Sequence, residues 1–175
     1  MPKPKYKFDI NPQLPEVKQA DCRHLPLETA SIRAINFDPP FVIGVPNGSK
    51  DTKGSNIITN RFSSFKTLND LWNFYYESLR EFKRLLRPNG ILIFKCQDTV
   101  SSAKQCLSHV EIINYALSIG FYPLDLFILL AKSRLIGPDQ WDQQHARKFH
   151  SYFIVFQRTD CPIKYYSLVK EVRTP

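Results

Sequence analysis

Asp38, Pro39, Pro40 and Phe41 follow directly on a β-prone run, Ile32-Arg33-Ala34-Ile35-Asn36-Phe37. Each proline fixes φ and lacks an N–H, so the backbone there is stiff and its carbonyls stay available as acceptors. Asp38 and the carbonyl of Pro39 together offer two acceptors to one planar amino group, and Phe41 offers a face for a base to stack on. An exocyclic amine is a poor nucleophile because its lone pair is delocalised into the ring. Two acceptors that draw its protons toward a tetrahedral nitrogen favour attack on an electrophilic methyl group. Taken alone, Asp-Pro-Pro is equally the turn that ends a strand.

Short strands must position that run. A strand over residues 5–10 is expected to end at Asp9, a second over 17–20 to end at Asp21, and a third over 34–37 to end at Asp38. Strands that deliver carboxylates at their ends suit an open parallel sheet, where ligands sit at the carboxyl edge. Leu68, Leu71, Trp72, Tyr75, Leu79, Phe82 and Leu86 recur at three- and four-residue steps. This predicts an amphipathic helix, started by Thr67 and Asp70 and ended by Pro88-Asn89-Gly90. Ile91 to Phe94 is a continuous apolar run suited to a buried central strand, and it leads into the polar cluster Lys95-Cys96-Gln97-Asp98. Ser108 and Glu111 predict a capping box for a helix through Ile119 closed by Gly120, with His109 as a surface or capping residue. Strands over 125–131 and 151–156 complete the order.

Two long connections stand out. Residues 42–66 are rich in Gly, Ser, Asn, Thr and Lys without periodicity, as in a mobile loop or lid. The spacing of Gly44, Gly48 and Lys50 does not make a phosphate-binding loop. Residues 132–150 hold Lys132, Arg134, Gln143, Gln144, His145, Arg147, Lys148 and His150. Amide and cationic side chains of that kind suit phosphate and base-edge contacts. His145 and His150 lack a third ligand at a metal-binding spacing, so no metal is expected.

Composition bounds the function. The 175 residues, 43% of them hydrophobic, fit one domain spanning the chain. No apolar run approaches the length of a membrane span, and no secretory signal is evident, so a cytoplasmic protein is expected. Four scattered cysteines, Cys22, Cys96, Cys106 and Cys161, form neither a zinc ribbon nor a disulfide framework. The formal net charge of +8 favours a polyanion such as nucleic acid as partner.

Beyond the tetrapeptide, Asp21-Cys-Arg-His-Leu-Pro-Leu and Leu86-Arg-Pro-Asn-Gly-Ile-Leu-Ile-Phe-Lys-Cys-Gln-Asp98 accompany it in order, and Gln144-His-Ala-Arg-Lys-Phe-His150 follows. Over roughly residues 7–158 the chain resembles the DNA N4/N6 amino methyltransferase superfamily. That resemblance implies an α/β, class I (Rossmann-like) methyltransferase fold, with a mostly parallel sheet whose last strand inserts antiparallel. It also implies S-adenosyl-L-methionine as cofactor. Asp38, Pro39, Pro40 and Phe41 would be catalytic. Asp9 would meet the cofactor ribose and Asp21, with Cys22, the region of its adenine, beside Asp38. Lys95, Gln97, Gln144, His145, Arg147, Lys148 and His150 would contact the substrate, with 132–150 as the substrate loop.

One part of the family pattern is missing. No two of the six glycines stand two residues apart, so the glycine-rich cofactor loop, with its first strand and helix, has no counterpart in these residues. A homodimer or a partner subunit supplying that loop is one expectation. The leading function is methyl transfer to an exocyclic amine of a nucleic-acid base, adenine N6 in DNA first. An RNA guanine-N2 or adenine-N6 methyltransferase is the runner-up, and a catalytically silent nucleic-acid-binding module the reading from another class. A duplex substrate would present its base flipped from the stack.

Overall fold

A computed structural model describes residues 4–41, 43, 65–101, 104–131 and 148–164. Its elements are β1 (Phe8–Asp9), β2 (Lys18–Gln19), β3 (Ile32–Phe37), α1 (Leu68–Leu85), β4 (Leu86–Cys96), β5 (Thr99–Ser101), β6 (Lys104–Cys106), α2 (Ser108–Ser118), β7 (Phe121–Leu130) and β8 (His150–Arg158). The main sheet runs β3-β4-β8-β7. β3 and β4 are parallel, and β8 inserts between β4 and β7, antiparallel to both. This is the arrangement expected from the resemblance. β1 and β2 pair in parallel as a separate two-stranded sheet, and β5 and β6 form a hairpin that the sequence reading did not contain.

The predicted capping box opens α1. The Thr67 hydroxyl accepts from the Asp70 N–H at 3.1 Å while the Asp70 carboxylate accepts from the Thr67 N–H at 3.0 Å. Leu71, Tyr75, Leu79 and Phe82 then bury one stripe of the helix against Leu92 and Phe94 of β4 and Ile154 and Phe156 of β8. The helix stops at Leu85, before Pro88-Asn89-Gly90, and Leu86 already pairs with Ile32. Extended backbone at Leu86 meets the neighbouring strand, and that pairing ends the helix earlier than the proline would.

β4 is not buried on both faces as its apolar run suggested. Leu92, Phe94 and Cys96 are fully buried, while Ile91, Ile93 and Lys95 are only half-buried. Both described helices pack into the same core, with Ile112 and Ala116 of α2 joining the α1 stripe. Among the described residues no helix lies over the sheet face that carries Ala34, Asn36, Ile93 and Lys95.

α2 departs from its predicted start. Leu107, not Ser108, is the N-cap, and no side chain caps it in the capping-box manner. Ser108 is inside the helix with its hydroxyl buried and unpaired among the described residues. Glu111 instead accepts from the Tyr76 hydroxyl of α1. The other end is as predicted: Gly120 takes the left-handed conformation (φ 88°) that closes the helix. No described helix is long and apolar enough to cross a membrane.

Candidate active site

β3 pairs with β4 in a register that sets Asn36 beside Ile93 and Phe37 beside Phe94. One step further along both strands come Asp38 and Lys95. Phe37 anchors the strand from below, its ring edge-on to Phe82 at 4.7 Å and to Phe94 at 5.1 Å. Alternation then turns Asp38 to the opposite face, where its carboxylate is 60% exposed. The Lys95 ammonium lies 2.9 Å from Oδ1 and 3.0 Å from Oδ2. Phe153 of β8, opposite Lys95, brings its ring centre within 5.8 Å of the same ammonium.

The two prolines differ in what they leave open. The carbonyl of Pro40 accepts from the Tyr75 hydroxyl at 3.2 Å, so it is not a free acceptor. Burial pushes the Tyr75 phenol well above its usual range, which keeps it a donor. No described group bonds to the carbonyl of the buried Pro39, next to Asp38. Phe41 is half-buried. The site thus combines an exposed carboxylate, a backbone carbonyl and an aromatic side chain at the carboxyl end of one strand, with one cation already in place.

The residues expected around a cofactor are distributed differently. Asp9 ends β1, is exposed, and accepts from the Asn11 N–H at 2.7 Å. Asp21 is occupied: Arg23 donates to it from Nε at 3.0 and 3.1 Å and from Nη2 at 2.6 Å, then reaches Glu77 at 3.1 Å. The Arg23 hydrogen bonds hold the Asp21 carboxyl below its usual pKa. Cys22 turns to α1, its Sγ 3.4 Å from the Ser78 hydroxyl, and burial raises its thiol pKa. No bond among the described residues joins Asp9, Asp21 or Cys22 to Asp38. The two described glycines, Gly90 and Gly120, lie at a close backbone approach and at a helix end. Among the described residues Asp9 thus keeps an exposed carboxylate, Asp21 and Cys22 are engaged, and no glycine-rich turn is present.

Beside the site lies a polar cluster that the sequence did not reveal. The buried Asp98 carboxylate, just past β4, meets His109 Nδ1 at 2.7 Å and accepts from the His109 N–H at 3.4 Å. Tyr152 stacks on the His109 ring at 4.1 Å and donates to Asp98 Oδ2 at 3.3 Å. His150 Nε2 lies 3.0 Å from the Tyr152 hydroxyl. His109 is thus a bonded member of a network, not a lone surface residue. Gln97, expected among substrate contacts, is buried and donates to the carbonyls of His150 (2.7 Å) and Lys148 (3.4 Å). Asp98 was visible as a polar residue at a strand's carboxyl end; no local signal could pair it with residues 11 and 54 positions away.

Gln144, His145 and Arg147 lie outside the described residues, as do all but the ends of the loop expected at 42–66, where Ile43 bridges to Phe65. Among the described residues no group of three or more His, Cys, Asp or Glu side chains could hold a metal ion.

No protein-family model matches the chain, and no curated protein matches it. Solved structures do. A protein of Thermus thermophilus assigned as a DNA modification methylase is 17% identical over 97% of this chain and 61% of its own, with a TM-score of 0.52. The same protein complexed with S-adenosyl-L-methionine matches 89% of this chain, again at 0.52. The PvuII DNA methyltransferase, described as cytosine-N4-specific, is 15% identical over 89% of this chain and 53% of its own, at 0.51. The chain therefore has a class I-like methyltransferase fold and spans 53–61% of the length of these solved methylases.

Proposed function

We propose that this chain is the catalytic part of an S-adenosyl-L-methionine-dependent methyltransferase that modifies an exocyclic amine of a nucleic-acid base, with adenine N6 in DNA the first choice. The observation that carries this reading is the exposed Asp38 carboxylate beside the Pro39 carbonyl, to which no described group bonds, and Phe41, on a methylase-like fold. When bound, the cofactor supplies an activated methyl group. A base stacked on Phe41 would direct its amine to Asp38 and Pro39, each accepting a hydrogen bond from one N–H and holding the nitrogen lone pair out of the ring. As the nitrogen takes the methyl and becomes positive, the Asp38 carboxylate stabilises that charge and is placed to receive the proton released. The formal charge of +8 favours a polyanionic substrate.

Of the carboxylates expected near a cofactor, Asp9 is the one with no cation on it among the described residues, since Arg23 engages Asp21 and Lys95 engages Asp38. A partner carrying a glycine turn would complete the site; a second copy of this chain has the same six glycines and would not. A silent nucleic-acid-binding module is the second reading, favoured by the missing glycine-rich loop and by Lys95 occupying Asp38. Transfer of a tritiated methyl group to duplex DNA, with RNA in parallel, tests both. Label on DNA that disappears with Asp38→Ala supports the enzyme; binding of DNA with no transfer to any nucleic acid supports the silent module.

A further inference from the structure

β7 occupies the edge of the sheet, yet its sequence is that of a strand covered on both sides. Leu124, Leu126, Phe127, Ile128, Leu129 and Leu130 are each between 40% and 71% exposed. A continuous apolar run is the pattern of a fully buried strand, whereas natural edges carry lysines, prolines or bulges that stop further pairing. Here Pro123 and the register shift after it blunt only the first part of the strand. From Leu126 to Leu130 nothing does. These six side chains, divided between the two faces of the sheet edge, leave roughly 600 Å² of apolar surface, as much as the largest patch on a typical monomer.

The backbone of this edge is also self-complementary. The Ala131 N–H donates to the Phe149 carbonyl at 2.6 Å, and these residues are directly opposite in the β7–β8 register. Antiparallel pairs alternate between bonded and non-bonded, so Leu129, Phe127 and Asp125 bond inward to β8, and Leu126, Ile128 and Leu130 turn their N–H and C=O outward. The Leu126 N–H bears this out by donating to its neighbour Asp125 at 2.8 Å. Among the described residues no strand pairs on that side.

We propose that this edge is the interface of a homodimer in which β7 pairs antiparallel with β7 of a second copy, about a two-fold axis at Ile128. Only that register matches all three outward residues: Ile128 opposes its own copy, and Leu126 opposes Leu130 on both sides of the axis. It gives about four inter-chain hydrogen bonds without using the Leu126 N–H that Asp125 already holds. Phe127 then packs against Leu129 of the second copy, and the two Asp125 carboxylates fall at opposite ends of the ribbon. Two copies would bury roughly 1,000 Å² together, where specific interfaces begin. Nucleic acid does not fit this surface, because residues 121–130 contain no Lys, Arg or His.

Sedimentation equilibrium on the purified chain tests the proposal. A wild-type dimer is expected, with Ile128→Lys monomeric at the same concentration and unchanged in circular dichroism. Ile10→Lys, at another exposed apolar residue, should leave the dimer intact. In a Cys161→Ser background, Ile128→Cys should be cross-linked to dimer by a short bismaleimide. Asp125→Cys should not, since its own copy lies about 20 Å away along the ribbon. A monomeric wild type, a dimer indifferent to Ile128→Lys, or equal cross-linking at both positions would overturn the interface. So would a monomer that instead sediments with phosphatidylcholine–phosphatidylserine vesicles.

Discussion

Both carboxylate oxygens of Asp38 lie within 3.0 Å of the Lys95 ammonium. The lysine stands where the proposed mechanism needs an amine, so Asp38 is held by a cation that a substrate base must displace or share. The carboxylate is 60% exposed while the lysine is half-buried, and a pair open to solvent on one side contributes about 0–1 kcal/mol to stability. Its significance is therefore positional.

Asp38→Ala should abolish methyl transfer while changing stability by less than about 1 kcal/mol. Asp38→Asn should be nearly as severe, since an amide accepts a hydrogen bond but carries no charge to offset the developing positive nitrogen. Tritium transfer with thermal melts of the same preparations checks this; a folded Asp38→Ala protein with wild-type turnover would exclude the role.

The Asp98 cluster should matter for stability. Asp98→Ala leaves the His109 N–H and ring and the Tyr152 hydroxyl without their acceptor. Orphaning buried donors costs about 1–3 kcal/mol, against about 1 kcal/mol for losing one bond in Tyr152→Phe. Urea unfolding of the two variants measures the difference, and equal small effects would mean that water replaces Asp98 freely.

Glu81 ties α1 to the preceding loop, accepting from Arg84 at 2.6 and 2.8 Å and from the Leu25 N–H at 2.8 Å. The Arg84 hydrogen bonds, then the backbone bond, lower its pKa. A carboxyl depressed in the folded state stabilises fully above its unfolded value, about 4.3. That contribution fades as pH falls from there through the folded value. Glu81→Gln should cost about 1–2 kcal/mol at neutral pH and flatten the loss of stability on acidification. Denaturant midpoints at pH 7 and in mild acid report both; parallel pH profiles would assign the acid loss to other carboxylates.

Arg147 and Lys148 should add phosphate contacts, as the amide- and cation-rich composition of residues 132–150 suggests. Replacing both by alanine should make the salt dependence of DNA binding shallower by about one to two units of slope. Fluorescence anisotropy across a salt series gives the slope, and an unchanged value would remove these residues from the interface.

A chain without a glycine-rich cofactor loop would forgo two or three hydrogen bonds to the methionine end of the cofactor. At ~0.5–1.5 kcal/mol each, this weakens binding by roughly 1–4 kcal/mol, or about ten- to a thousandfold. Calorimetric titration of S-adenosylmethionine into the chain alone should therefore give a weak, high-micromolar affinity. A constant near ~1 μM would show that the chain holds the methionine end by other groups.

What the sequence determined by itself was whatever short-range rules govern. The stripe from Leu68 to Phe82 and the Thr67–Asp70 box need only helical spacing, and both stand where expected. The strand before Asp38 and the stop at Pro39 follow from propensity and a missing N–H. The antiparallel insertion of β8 came from the resemblance of the motif order to a known fold, not from any pattern within β8. Only the tertiary structure decided which groups those elements bring together. Lys95 reaches Asp38 because β3 and β4 pair in one register among several that the apolar pattern allows, and a shift of one residue would turn the two to opposite faces. Asp98 takes Tyr152 as a partner across 54 residues, and Asp21 is closed by Arg23 once Glu77 of α1 fixes the guanidinium. Sequence spacing carries the periodicity of each element, but side-chain partners across elements depend on register and packing, which no local pattern encodes.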